Sequence, residues 1–215
     1  MMTQTSAKGG TRQYLTKMLA GAVFGAASTA LFLYFVGEDR LDRASLSSMI
    51  AVIAGLSYFL MGLAVGFGAI APGTGARFLN VEDADELREE RAKLTPSAIA
   101  CALIGIFFLV LALAPVGADA DARNIVLVIA SACIAGVVLI TVRMGSSDEL
   151  IRQIGLEAST WTLNAALVII AIWATLAHLG YAGWVEPLGL IAGAALLHLC
   201  AIFWISTKKG LMRPR

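Results

Sequence analysis

The sequence predicts an all-α, polytopic membrane protein: six transmembrane helices arranged as three antiparallel hairpins, with two short amphipathic helices on the cytoplasmic surface. Three observations carry this expectation. Six apolar stretches, at roughly 18–36, 48–70, 97–116, 124–142, 160–180 and 185–206, hold no Asp, Glu, Lys or Arg in their interiors. Each is about as long as the ~20 helical residues that cross a ~30 Å hydrocarbon core. In lipid the backbone must satisfy its own hydrogen bonds, so stretches of this length are expected to be helical. Composition agrees, since 59% of the 215 residues are hydrophobic and 14% charged, against ~45–50% and ~25% in soluble domains.

The third observation is the placement of basic residues. With the N-terminus inside, the cytoplasmic segments hold Lys8, Arg12 and Lys17; Arg77, Arg88, Arg91 and Lys93; Arg143 and Arg152; and Lys208, Lys209, Arg213 and Arg215. The opposite side keeps Arg40, Arg43 and Arg123, so thirteen of sixteen basic residues fall on one side. Lys and Arg in short loops set orientation, which places both termini in the cytoplasm. The organisation expected is a mobile tail at 1–17, a six-helix domain at 18–206 and a basic cytoplasmic tail at 207–215.

The first stretch follows a basic segment, but its apolar run exceeds the 7–15 residues of a signal-peptide core. It ends Leu33-Tyr34-Phe35-Val36-Gly37, without the small residues a signal peptidase reads, so an uncleaved helix is expected. Aromatic side chains mark the span ends: Tyr34, Tyr181 and Trp184 near the outer boundary, and Tyr14, Trp161 and Trp204 near the inner one. Tyr58 and Trp173 lie deeper, where packing between helices is expected. Pro115 and Pro187 stand at span ends, where proline costs little. Short outer loops at 37–47, 117–123 and 181–184 would pair spans one with two, three with four and five with six, since short connections join neighbours.

Small residues recur four apart at Gly21 and Gly25, Gly62 and Gly66, Ala132 and Gly136, and Gly189 and Gly193. Membrane helices associate through van der Waals contact at such pairs. These eight are the candidate helix-packing residues, and an outward-facing pair would serve a second subunit. Asn164, Ser131, Ser57 and Thr175 are the polar groups expected to bond between helices. Cys101, Cys133 and Cys200 all lie within spans, an odd set that reads as small packing residues rather than a disulfide framework.

Two inner segments resemble each other. Asn80–Leu94 and Ser146–Ala158 both contain Asp-Glu-Leu followed by an Arg, and both lead into a span. Asn80 and Ser146 suit N-caps, with Glu149 completing a capping box at the second. Glu89 with Lys93 and Asp148 with Arg152 have the i,i+4 spacing of helical ion pairs. Two short amphipathic helices follow, serving as interfacial anchors for a turn or as a docking surface. The candidate docking residues are Asp85, Glu86, Arg88, Asp148, Glu149 and Arg152. The second segment, through Asp148, Glu149, Arg152, Ile154, Leu156, Glu157 and Ala158, resembles a D-E-x-x-R-x-I-x-L-E-A pattern of uncharacterised small multi-pass bacterial membrane proteins. That resemblance implies a bacterial inner membrane and no particular chemistry.

No catalytic set is legible. H-E-x-x-H, C-x-x-C and G-x-S-x-G are absent, and Ala71-Pro72-Gly73-Thr74-Gly75 lacks the ending of a phosphate loop. His178 sits near the outer end of its span, whereas His198 lies about thirteen residues into the next. At 1.5 Å per residue the two rings differ in depth by more than ~10 Å, so they are not expected to share a haem or a metal ion, and no cofactor is expected. His198 reads as a histidine bonded to a neighbouring helix. Glu186, beside Trp184 and Pro187, is expected at the outer interface. Proteins that move ions usually keep a charge within the bilayer, and these spans hold none. The expected function is therefore non-enzymatic: an accessory or scaffolding subunit, working by association with the lipid bilayer, other membrane-protein subunits or copies of itself, and without nucleic acid. The alternative is a small oligomeric transporter or channel for a neutral or apolar solute.

Overall fold

The computed structural model describes residues 25–26, 29–30, 34, 45–71, 91–114, 119–143 and 149–210. Among these residues the protein is all-helical. Its long helices are α1 (Leu46–Ile70), α2 (Arg91–Leu113), α3 (Ala120–Arg143), α4 (Glu149–His178) and α5 (Pro187–Lys208). All five are long and apolar enough to cross a membrane. They match spans two to six. Of the first span, Gly25, Ala26, Thr29, Ala30 and Tyr34 are helical, and the Thr29 hydroxyl donates to the Gly25 carbonyl at 2.8 Å. The rest of that span lies outside the described residues, as do the N-terminal tail, residues 211–215, Gly21, Pro115 and the segment 80–90.

Local chemistry accounts for the described helix ends. The Ser45 hydroxyl accepts the Ser48 amide at 3.2 Å, and an Asp119 carboxylate oxygen accepts the Ala122 amide at 3.0 Å. Each satisfies one of the amide donors that a helix N-terminus leaves without an intrahelical partner. Pro187 occupies the first turn of α5, where its missing N–H costs nothing. The C-terminus of α4 closes on Gly180 at φ 79°. The Gly180 amide donates to the Ala177 carbonyl and the Tyr181 amide to the Leu176 carbonyl, the paired bonds of a Schellman motif that needs a left-handed residue.

Contact registers give the helix directions. As α1 advances from Gly55 to Gly62, its contact on α2 retreats from Leu109 to Ala98, so the two helices are antiparallel. From Ser45 through Ser47 to Tyr58, the contact on α5 advances from Glu186 through Gly189 to Ala195, so α1 and α5 are parallel. Ile154 and Ala158 of α4 pack with Ile205, and Thr162 meets His198, so α4 and α5 are antiparallel. Two helices an even number of crossings apart run the same way, which is what spans two and six show.

The hairpin expectation is met in part, since most of span one, the partner expected for span two, lies outside the described residues. Spans three and four (α2 with α3) and five and six (α4 with α5) are in contact. The most extensive contact, however, joins spans two and three as α1 and α2, across the longer connection at 71–90. Side-chain size decides this: the α1–α2 seam is lined by Gly55, Gly62, Ala98, Ala102 and Gly105. One core cluster forms where Ala51 and Ala54 of α1, Phe108 of α2 and Ala192 of α5 meet. A second lies between α4 and α5 at Ile154, Ala158 and Ile205.

The second amphipathic segment is likewise not a separate short helix. Residues 149–158 are the first turns of the 30-residue α4, which continues unbroken to His178. Nothing at 158–160 interrupts it, since Ala158, Ser159 and Thr160 neither remove a backbone donor nor favour a left-handed turn.

Candidate functional site

The candidate packing residues separate into three groups. At Gly62 a Cβ would fall 2.7 Å from the Ala102 amide nitrogen and 2.8 Å from the Ala98 carbonyl oxygen. Gly62 thus lets α1 approach the backbone of α2 directly. At Gly189 a Cβ would meet the Ser47 hydroxyl at 2.6 Å, and at Gly136 it would meet Leu103 Cδ1 at 2.8 Å. Gly66 is in ordinary contact with Ala98 at 3.6 Å. Gly25 and Gly193 have room: among the described residues, a Cβ at either would have no neighbour within 4 Å. Ala132 is exposed. Among the described residues, the four-residue spacing therefore marks close packing at Gly62, Gly136 and Gly189 and not at Gly25 or Gly193.

A position as tight as Gly189, and faced by backbone, lies outside the four-apart pairs. Gly105 places a would-be Cβ 2.6 Å from Phe59 N and Cβ, tighter than any real contact. Its signal in the sequence is a three-and-four alternation, Ala98, Ala102, Gly105 and Leu109, facing Gly55, Phe59, Gly62 and Gly66. Each small residue there sits opposite a partner on the other helix, as two ridges do when they interlock.

Of the candidate docking residues, Asp85, Glu86, Arg88 and Asp148 lie outside the described residues, as does the cap at Ser146. Glu149 and Arg152 are described, and they pair with each other. Arg152 Nε donates to Glu149 Oε2 at 3.2 Å and Nη2 to Oε1 at 3.1 Å, with both side chains mostly exposed. A three-residue spacing thus forms a two-point contact between the guanidinium fork and the carboxylate. Further along α4, Glu157 meets the end of α5, with Lys209 Nζ 3.1 Å from Glu157 Oε2. Lys208 Nζ stands 5.1 Å above the Trp204 ring. The N-terminal part of α4 and the C-terminal end of α5 are joined by charge as well as by the core at Ile205.

For Asn164 and Thr175 the expected interhelical bonds require correction. Asn164 Nδ2 donates to the Thr160 carbonyl at 2.9 Å, and the Thr175 hydroxyl donates to Ala171 at 2.8 Å. Both bonds lie within α4, because side chains of this length reach the carbonyl one turn back. The bonds that do cross between helices come from other residues. The Tyr58 hydroxyl donates to the Ala195 carbonyl at 3.0 Å; Tyr58 is buried in the α1–α5 contact, as its depth predicts. The Thr162 hydroxyl lies 3.2 Å from His198 Nδ1, which gives His198 the neighbouring-helix bond expected of it. Trp173, expected between helices, is instead exposed, and its Nε1 donates to the Gly183 carbonyl beyond the end of α4 at 2.9 Å. The indole N–H captures the connecting turn because that turn folds back over the last helical residues.

Comparison with protein-family models, curated proteins and solved structures finds no match. The site's chemistry therefore rests on its own geometry. Among the described residues, no three His, Cys, Asp or Glu side chains converge as metal ligands would. What the molecule presents is packing surface, a two-helix seam closed to backbone contact, and the broad outward faces of α3 and α4.

Proposed function

We propose that this chain is a non-enzymatic protein of a bacterial inner membrane, with both termini in the cytoplasm, that works by association as an accessory or scaffolding subunit. The observation that carries the reading is an asymmetry of burial. Nine residues of α1 are buried, against two of α3 and three of α4. The α1, α2 and α5 contacts consume the small residues that permit backbone approach, leaving the seam between α1 and α2 no room for a solute path. By contrast, α3 and α4 present Leu127, Val128, Ile134, Val138, Leu167 and Ile172 outward. Lipid and protein are both suitable coverings for such faces, and two long helices held this loosely by their own chain are suited to a neighbour. The orientation draws its support from the basic residues.

The test is purification in native lipid particles, followed by native mass spectrometry. A complex of fixed stoichiometry, either with a second membrane protein or as a discrete oligomer, is the expected result. A monodisperse monomer that conducts a neutral solute across liposomes would overturn the reading in favour of the small transporter.

A further inference from the structure

Asn164 sits near the midpoint of the 30-residue α4, in its apolar part, and is exposed. Its carboxamide carries two N–H donors and a carbonyl acceptor. Among the described residues its one bond is from Nδ2 to the Thr160 carbonyl, which leaves an N–H and the carbonyl oxygen without a partner. Hydrocarbon offers neither a donor nor an acceptor, so an amide held there unpaired is costly.

Two threonines of the helix share the side on which Asn164 lies. At 3.6 residues per turn, Thr160, Asn164, Ala171 and Thr175 fall within an arc of about 60°, and all four are exposed. The far side of α4 carries Ala158 and Thr162, which face α5. Asn164 thus points away from the only helix with which α4 makes extensive contact among the described residues.

We propose that α4 pairs with α4 of a second copy of this chain, through Asn164 and the ridge of Thr160, Ala171 and Thr175. The inference rests on the association reading and names its partner. Copies inserted with one topology are related by a twofold axis along the membrane normal, and such an axis brings each residue opposite its own counterpart at the same depth. A carboxamide is its own complement: the free N–H of one Asn164 donates to the carbonyl oxygen of the other. Ala171, seven residues on, lets the two backbones approach at the next contact along the ridge.

The experiment places single cysteines in a variant lacking Cys101, Cys133 and Cys200, and oxidises native membranes. Val168→Cys and Ala171→Cys should form disulfide-linked dimers of this chain, whereas Ala166→Cys and Ala177→Cys, on the side towards α5, should not. Asn164→Leu in the Ala171→Cys background should reduce the linked fraction and weaken dimerisation about tenfold, and Asn164→Gln should restore both. Equal linking at all four positions, or a linked fraction unchanged by Asn164→Leu, would overturn the proposal. So would linking of Val168→Cys solely to a different polypeptide, although the association reading would survive that result. Monomer throughout, with no complex by native mass spectrometry, would end both.

Discussion

Ser45 and Glu186 stand 141 positions apart in the chain, yet the Ser45 hydroxyl donates to Glu186 Oε2 at 2.9 Å. Each residue is the N-cap of its own helix. The bond therefore sets the N-termini of α1 and α5 side by side and places one carboxylate between them. Parallel helices bring like dipole ends together, and an anion at a helix N-terminus stabilises that end. Glu186 serves two ends at once.

Replacement of these residues should separate their roles. Ser45→Ala removes both the cap and the bond and should lower stability by ~0.5–2 kcal/mol. Glu186→Gln keeps an acceptor for Ser45 but removes the charge, so a smaller loss of ~0.3–1 kcal/mol is expected. Thermal unfolding in detergent measures both. A larger loss for Glu186→Gln than for Ser45→Ala would contradict the assignment of the cap as the stronger contribution.

The glycines provide a sharper contrast, because Gly62 and Gly193 look alike in the sequence. Gly62→Val and Gly105→Val force a side chain into the backbone or Cβ of the facing helix. Each should cost ~1–3 kcal/mol, as overpacking does, and should loosen the α1–α2 contact. Gly193→Ala meets no atom of the described residues within 4 Å, so removing a helix glycine should leave stability equal or raise it by ~0.5–1 kcal/mol. A destabilised Gly193→Ala would show that this face of α5 is covered.

Arg152→Glu tests the N-terminal end of α4. The Glu149–Arg152 pair is mostly exposed, and such pairs contribute ~0–1 kcal/mol. Unfolding temperature should therefore change little. If the segment only anchors the helix at the interface, co-purifying subunits will be retained in full. Their loss at unchanged stability would instead identify the Glu149–Arg152 turn as a docking surface.

Orientation can be read directly. In a variant lacking the native cysteines, Ser6→Cys, Asp121→Cys and Met212→Cys are treated with an impermeant thiol reagent on intact cells. Asp121 is exposed in the first turn of α3 and should label, while positions 6 and 212 should react after permeabilisation alone. The reverse pattern would invert the topology.

Much of the architecture follows from residues considered singly. Leu46–Ile70 and Pro187–Lys208 are helices because a hydrocarbon slab demands about twenty apolar residues with their own hydrogen bonds, and that demand is legible in one dimension. Pro187 marks the start of α5 for a reason internal to proline. The same holds for Tyr181 and Trp184, whose exposure near a span end follows from their amphipathic rings.

What the tertiary structure decided is which of several equivalent faces has a partner. A four-residue spacing states that Gly189 and Gly193 share a side of α5; it does not state that Ser47 lies over the first and, among the described residues, nothing over the second. Nor does the sequence show that Asn164 bonds back to Thr160 while Thr162 reaches His198. Helical periodicity specifies directions around one axis, whereas contact depends on where a second axis passes. That position is set jointly by all the small and large side chains along both helices, so it emerges only when the helices are packed together.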